Sequence, residues 1–257
     1  MYNAIYCEFL KLKKSNFYLI LVLLTCFFPV MLCLGWLGQG KFVIWNYYVS
    51  QMENVTFTLI NVTMYALISA YIYTREFSCN TAQTLFTYPI GRIKIFISKF
   101  IVITTVIMLI TLFQILLTFL GGLLLPHEEL TREILLGHLR MNFYGLMYQY
   151  AIIPIAIFIA LLSKDVIMPM VYGGLLTVSN LFLLSSGRKI ILECVPSLYP
   201  IIILSQSFKT SDKKDMAKMA IDKSGVILPN LSIAIAILTF IVGISLCIAY
   251  YLKADID

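Results

Sequence analysis

A chain of 257 residues could fold as one large or two small water-soluble domains, but 60% hydrophobic residues, 12% charged residues and a mean hydropathy of +0.91 leave too few charges to cover a globule's surface. With a formal net charge of only +6 in so apolar a sequence, lipid must be the solvent, and a soluble fold is excluded.

In chain order, Tyr2, Ile5, Tyr6, Phe9 and Leu12 recur at helical spacing beside Lys11, Lys13 and Lys14. Residues 1–15 are therefore expected to form an amphipathic helix on the inner membrane surface, its lysines reaching lipid headgroups; the alternative is a basic flank that merely fixes topology. Six apolar runs follow, at 17–37, 55–73, 97–124, 143–162, 166–184 and 231–252. About 20 residues are needed to cross ~30 Å of hydrocarbon, and in a bilayer runs of this length must be helices. The expected fold is an all-α polytopic membrane protein, a single domain over 1–257 with six transmembrane helices. The first run mimics a signal peptide, yet it exceeds the usual ~7–15 apolar residues and lacks a small-x-small cleavage site, so it should stay attached.

Within the second run Thr58, Asn61, Tyr65 and Ser69 fall at steps of three, four and four, and in the fifth Gly173, Thr177 and Asn180 do likewise. Small and hydroxyl residues in such stripes let helices approach and hydrogen-bond. No buried Asp, Glu, Lys or Arg is expected in any span, which argues against a proton-coupled carrier.

Between the second and third runs lies a polar loop, 75–95. Asn80 is a candidate N-cap for a short helix over 81–86, which offers Leu85 and Phe86 to a partner's groove and ends at Tyr88 and Pro89. Arg92, Lys94 and Lys99 place positive charge at the entrance of the next helix. Beyond the third run, Glu128, Glu129 and Arg132 followed by His138 and Asn142 resemble part of the motif set of intramembrane CAAX-type proteases, in which a carboxylate activates water and a histidine or asparagine holds the oxyanion. Here both motifs fall in one outer loop rather than on separate helices, and a solvated amphipathic helix is expected.

Lys and Arg placement sets the orientation. With both termini cytoplasmic, inner segments hold Lys11, Lys13, Lys14, Arg75, Arg92, Lys94, Lys99, Lys164 and Lys253, whereas the first two outer loops hold Lys41, Arg132 and Arg140. The basic segment 185–230 is read as an outer loop whose part 190–206 is re-entrant or interfacial, because Glu193, Pro196 and Pro200 are costly in a lipid-facing helix; a seventh span is the alternative. Six scattered cysteines without a CxxC pair suggest neither disulfide nor metal. Composition and the Asn-x-Thr sites at Asn54 and Asn61 fit a bacterial source.

The opening Glu8-Phe9-Leu10-Lys11-Leu12-Lys13-Lys14-Ser15, the six runs, and the pattern Glu76, Thr81, Leu85, Pro89, Arg92 and Lys99 before the third run resemble the type-2 ABC exporter permeases, most of all those of bacitracin resistance and lantibiotic immunity. Asn80 stands where many relatives have glycine, and asparagine tolerates the same left-handed geometry. The resemblance implies a plasma-membrane permease whose coupling helix rests on a separate ATP-binding subunit through Glu76, Phe77, Thr81, Leu85, Phe86, Tyr88, Pro89 and Arg92. It implies that Thr58, Asn61, Tyr65, Ser69, Gly173, Thr177 and Asn180 border the translocation path or the interface with a second permease copy. No G-x-x-x-x-G-K-[ST] occurs, so ATP and Mg²⁺ would be bound by the partner and no cofactor by this chain. The expected partners are that subunit, a second identical or related permease, membrane lipids and an amphipathic substrate (an envelope-active peptide antibiotic or a lipid), with no nucleic acid. A membrane enzyme centred on Glu128, Glu129 and His138, or a sensory or scaffold subunit that does not transport, are the alternatives.

Overall fold

The computed structural model describes residues 2–13, 15–40, 42–79, 91–186, 195–198 and 230–253. These residues form helices α1 (Tyr2–Lys13), α2 (Phe17–Gln39), α3 (Trp45–Val55), α4 (Asn61–Ser78), α5 (Arg92–Leu123), α6 (Arg132–Tyr150), α7 (Ile153–Ser163), α8 (Ile167–Ser186) and α9 (Asn230–Lys253), and a π-helical turn, Thr56–Ile60, joins α3 to α4. The one β element among them is an isolated bridge between Val43 and His127. The expected 81–86 helix with Asn80, Thr81, Leu85, Phe86, Tyr88 and Pro89, and nearly all of 185–230, lie outside the described residues.

Six helical stretches are long and apolar enough to span a bilayer: Phe17–Gln39, Trp45–Ser78, Arg92–Leu123, Arg132–Ser163, Ile167–Leu184 and Leu231–Leu252. Two of them begin well before the apolar runs read from sequence. Before residue 55, Trp45, Tyr48, Val49 and Met52 recur at helical spacing and are buried, so the helix continues outward as an amphipathic extension. Before residue 143, Ile134, His138 and Met141 recur at helical spacing, the first half-buried and the other two buried, and Thr131 caps the helix by accepting from the Ile134 N–H. The fourth stretch is broken at Ala151 and Ile152, as expected where Pro154 would clash with the carbonyl four residues back.

The stretch Trp45–Ser78 is the core of the bundle and is mostly buried; α5, α7 and α8 pack around α4, and the outer faces of α2, α5, α8 and α9 present leucine, isoleucine, valine and phenylalanine outward. Without hydrophobic drive in lipid, close approach is what holds such helices. Gly243 of α9 lies against Pro154, where an added Cβ would come within 2.7 Å, and the Cys247 thiol donates to the Pro154 carbonyl at 3.2 Å. Gly145 of α6 similarly faces the Phe57 ring. Helix α1 is docked on this bundle, with Ile5, Phe9 and Leu12 packed against the main core.

Candidate functional sites

Two polar constellations stand out, one at each end of the bundle. At the first, α1, the end of α4 and the start of α5 converge on Lys99, which is 0% exposed. Its ammonium lies 2.9 Å from Glu76 Oε1 and 3.5 Å from Glu8 Oε2, and it donates to the Ile72 carbonyl at 3.1 Å. Lys11 bridges the same carboxylates, donating to Glu8 Oε1 at 2.6 Å and Glu76 Oε1 at 3.0 Å. Two carboxylates thus balance two ammoniums, which a buried ion cluster needs to offset desolvation. Burial would lower the Lys11 pKa, but the hydrogen bond to Glu8 and the charges of Glu76 and Glu8 outweigh it and hold it above the ordinary value. Arg75 donates to the Lys11 carbonyl at 2.6 Å, which satisfies a carbonyl in the last turn of α1, and Phe17 stacks on Tyr71 at 3.8 Å between ring centres.

This arrangement corrects two expectations. Lys11 turns inward to Glu8 and Glu76 rather than to headgroups. Lys99, inside the run 97–124, is a buried charge, which a hydropathy average hides because its counter-charges come from other segments. Glu76 belongs to this cluster, and Arg92 ties the start of α5 to the last turn of α9 through the Tyr251 carbonyl at 3.4 Å. Phe77 is half-buried, with the Lys164 ammonium 5.9 Å from its ring centre.

The second constellation is built on Glu53 of α3. Glu53 and His138 are 3% and 1% exposed. The His138 Nδ1–H donates to the carboxylate, 3.0 and 3.1 Å from its two oxygens, and Asn142 donates to Oε1 at 2.6 Å. Beneath them lies a half-open cavity of about 20 Å³, room for one water-sized group, lined on its polar side by Glu53, Thr56, Asn61, Gln114, Thr118 and Asn142. The π turn, a feature that often marks functional positions, presents Thr56 to this cavity, where it accepts from Gln114 at 3.3 Å, while the Phe57 carbonyl accepts from Gln149 at 3.0 Å.

Measured along the helix at ~1.5 Å per residue, Glu53 stands roughly 34 Å from Glu76, so the two constellations are about one hydrocarbon thickness apart. Asn61 on α4 and Gln114 on α5, each fifteen residues from the ion cluster, reach roughly 22 Å, inside the far leaflet.

The sequence 4–180 matches the profile of the ABC-2 family transporter protein. The chain belongs to the ABC-2 family. Over 114 residues it is 29% identical to the bacitracin transport permease protein BCRB of Bacillus licheniformis; the match takes in 44% of this chain and 55% of that protein, so this chain spans about half the length of that relative. Six apolar helices together with ABC-2 membership make it a multi-pass membrane protein of permease type, and a bacterial plasma membrane fits the relative's source.

On this ABC-2 scaffold the two stripes have distinct surroundings. Gly173 of α8 lies against Ala66 and Thr63 of α4, and Thr177 shares a 3.0 Å hydrogen bond with Thr63. Asn180 accepts from Ser197 at 2.8 Å. Thr58 and Ser69 donate to carbonyls one turn back, at Asn54 and Tyr65, and the buried Tyr65 hydroxyl has no partner among the described residues. Asn61 alone of the seven lines the cavity.

The protease-like set is not assembled. Glu128 accepts from the Trp45 N–H at 3.1 Å and so caps α3, Glu129 is exposed, and His138 faces Glu53 instead. The expectation of a solvated helix fails as well, since His138 and Met141 are buried. Glu53 escaped the sequence reading because it precedes the apolar run; the spacing Trp45, Val49, Met52 is the signal that places it on a helix.

Proposed function

We propose that the chain is the membrane-spanning permease subunit of an ATP-driven exporter, energised by a separate ATP-binding subunit and paired with a second permease copy. Its substrate is an amphipathic, envelope-active peptide antibiotic of the bacitracin or lantibiotic type, or a lipid. The ion cluster of Glu8, Lys11, Glu76 and Lys99 carries the reading: it fastens α1, α4 and α5 together at the root of the 79–91 segment, so a push on that segment would move three helices as one. The ABC-2 match and the BCRB relative support the transport role and the substrate class. ATP and Mg²⁺ belong to the partner. The positive-inside rule puts the Lys99 end in the cytoplasm, where such a partner would sit.

The test is at Leu85. Leu85→Asp would place an unpaired charge in the interface with the ATP-binding subunit, at a cost of about 3–5 kcal/mol. The variant should reach the membrane as wild type does but lose co-purification with its ATPase and stimulation of ATP hydrolysis. Arg92→Ala should weaken the complex less and in a salt-dependent manner, since a rim charge is screened over ~10 Å. Wild-type binding and stimulation by the Leu85 variant would remove the coupling role from this segment.

A further inference from the structure

The Glu53 cavity lies at the end of the bundle opposite the ion cluster, and its carboxylate has no Lys or Arg partner among the described residues. Its partners are the Asn142 amide and the His138 ring. The His138 Nδ1–H donates to the carboxylate, and Nε2 is buried with no partner among the described residues. A carboxylate buried to 3% exposure without a Lys or Arg partner is a fitting receptor for a cation. Asn61, 3% exposed, lines the same cavity and makes no side-chain hydrogen bond to a described residue, which leaves an amide oxygen for a donor. Thr56 and Thr118 add hydroxyl oxygens to the wall.

We propose that this cavity binds a primary ammonium group. Such a group is water-sized, carries one positive charge and offers three N–H donors, matching a cavity of about 20 Å³ that presents one carboxylate with amide and hydroxyl oxygens. A trimethylammonium head is too large and has no donor. The ammonium would arrive on the side chain of an amphipathic peptide or on the headgroup of an aminophospholipid, so the site supplies a substrate-selecting contact for the permease reading, on which that meaning rests.

The test uses the full chain in nanodiscs of phosphatidylcholine and phosphatidylglycerol, which contain no primary amine, with butylammonium as probe and butyltrimethylammonium and butanol as controls. Butylammonium alone should raise the thermal unfolding midpoint saturably. Glu53→Gln should abolish the shift, and so should Asn61→Leu, which fills the cavity while leaving the Glu53, His138 and Asn142 bonds intact; the second variant decides the matter if the first does not fold. Replacing phosphatidylcholine by phosphatidylethanolamine should erase the probe's shift if the lipid headgroup is the occupant, and leave it if the site takes free or peptide amines. No shift with butylammonium, an equal shift with the quaternary ion, or a shift that survives Asn61→Leu overturns the proposal. No ATP-binding partner is needed, so a failure here and a failure of the coupling role are separate results.

Discussion

Lys99 shows how much one buried charge can organise when its counter-charges come from other segments. Lys99→Met would leave Glu76, and in part Glu8, facing a dry interior with one ammonium between them, and should destabilise the bundle by about 3–5 kcal/mol. Thermal unfolding in lipid checks this; adding Glu76→Gln should recover much of the loss, because the penalty is for the stranded carboxylate and not for the missing pair. Lys11 gives the pH dependence. Its pKa is raised above 10.5, so the stabilisation it contributes is fully present below that value and is lost as pH rises through the higher folded-state value. The unfolding midpoint should therefore keep this contribution from neutrality to the ordinary lysine range and lose it only above, whereas a Lys11→Met chain should lack the alkaline fall due to this residue.

At the scale of elements, contact between helices is set by the smallest residues. A Cβ at Gly145 would stand 2.8 Å from two carbons of the buried Phe57 ring, which is itself packed with Leu198, Leu183 and Leu184. Gly145→Ala should cost about 1–3 kcal/mol by overpacking, read as a lower unfolding midpoint, and Phe57→Leu in the same chain should relieve part of it. The element boundaries were the harder thing to read. Residues 45–55 and 132–142 have the helical spacing of apolar residues but too many polar ones to register as membrane spans, so they looked like loops; they are helical because their apolar faces close on Trp45, Tyr48 and Phe119 of the outer cluster. The ion cluster was half legible, since Glu8, Glu76 and Lys99 were singled out, but as separate features. Nothing local says that α1 folds back onto α4.

For the whole molecule, α1 and the last turn of α9 lie at the same end, since Lys99 meets Glu8 while Arg92 meets Tyr251. With the positive-inside rule the expectation is that 185–230 is outside. In a chain whose native cysteines are replaced, a cysteine introduced at Lys213 should react with an impermeant thiol reagent in intact cells, and one introduced at Lys164 only after permeabilisation. The reverse result at 213 would overturn this placement.

By itself the sequence determined the solvent, the number of apolar helices and the fold class, because hydropathy is a local sum over about 20 residues and each span must satisfy its own backbone in lipid. It marked Asn61, Glu76, Arg92, His138 and Asn142 as chemically informative. Only the tertiary structure decided which charges meet: Lys99 with Glu8 and Glu76, and His138 and Asn142 with Glu53 rather than Glu128. Those pairings join segments tens of residues apart, and a buried charge is tolerated according to what the other helices bring to it, which no local average can express.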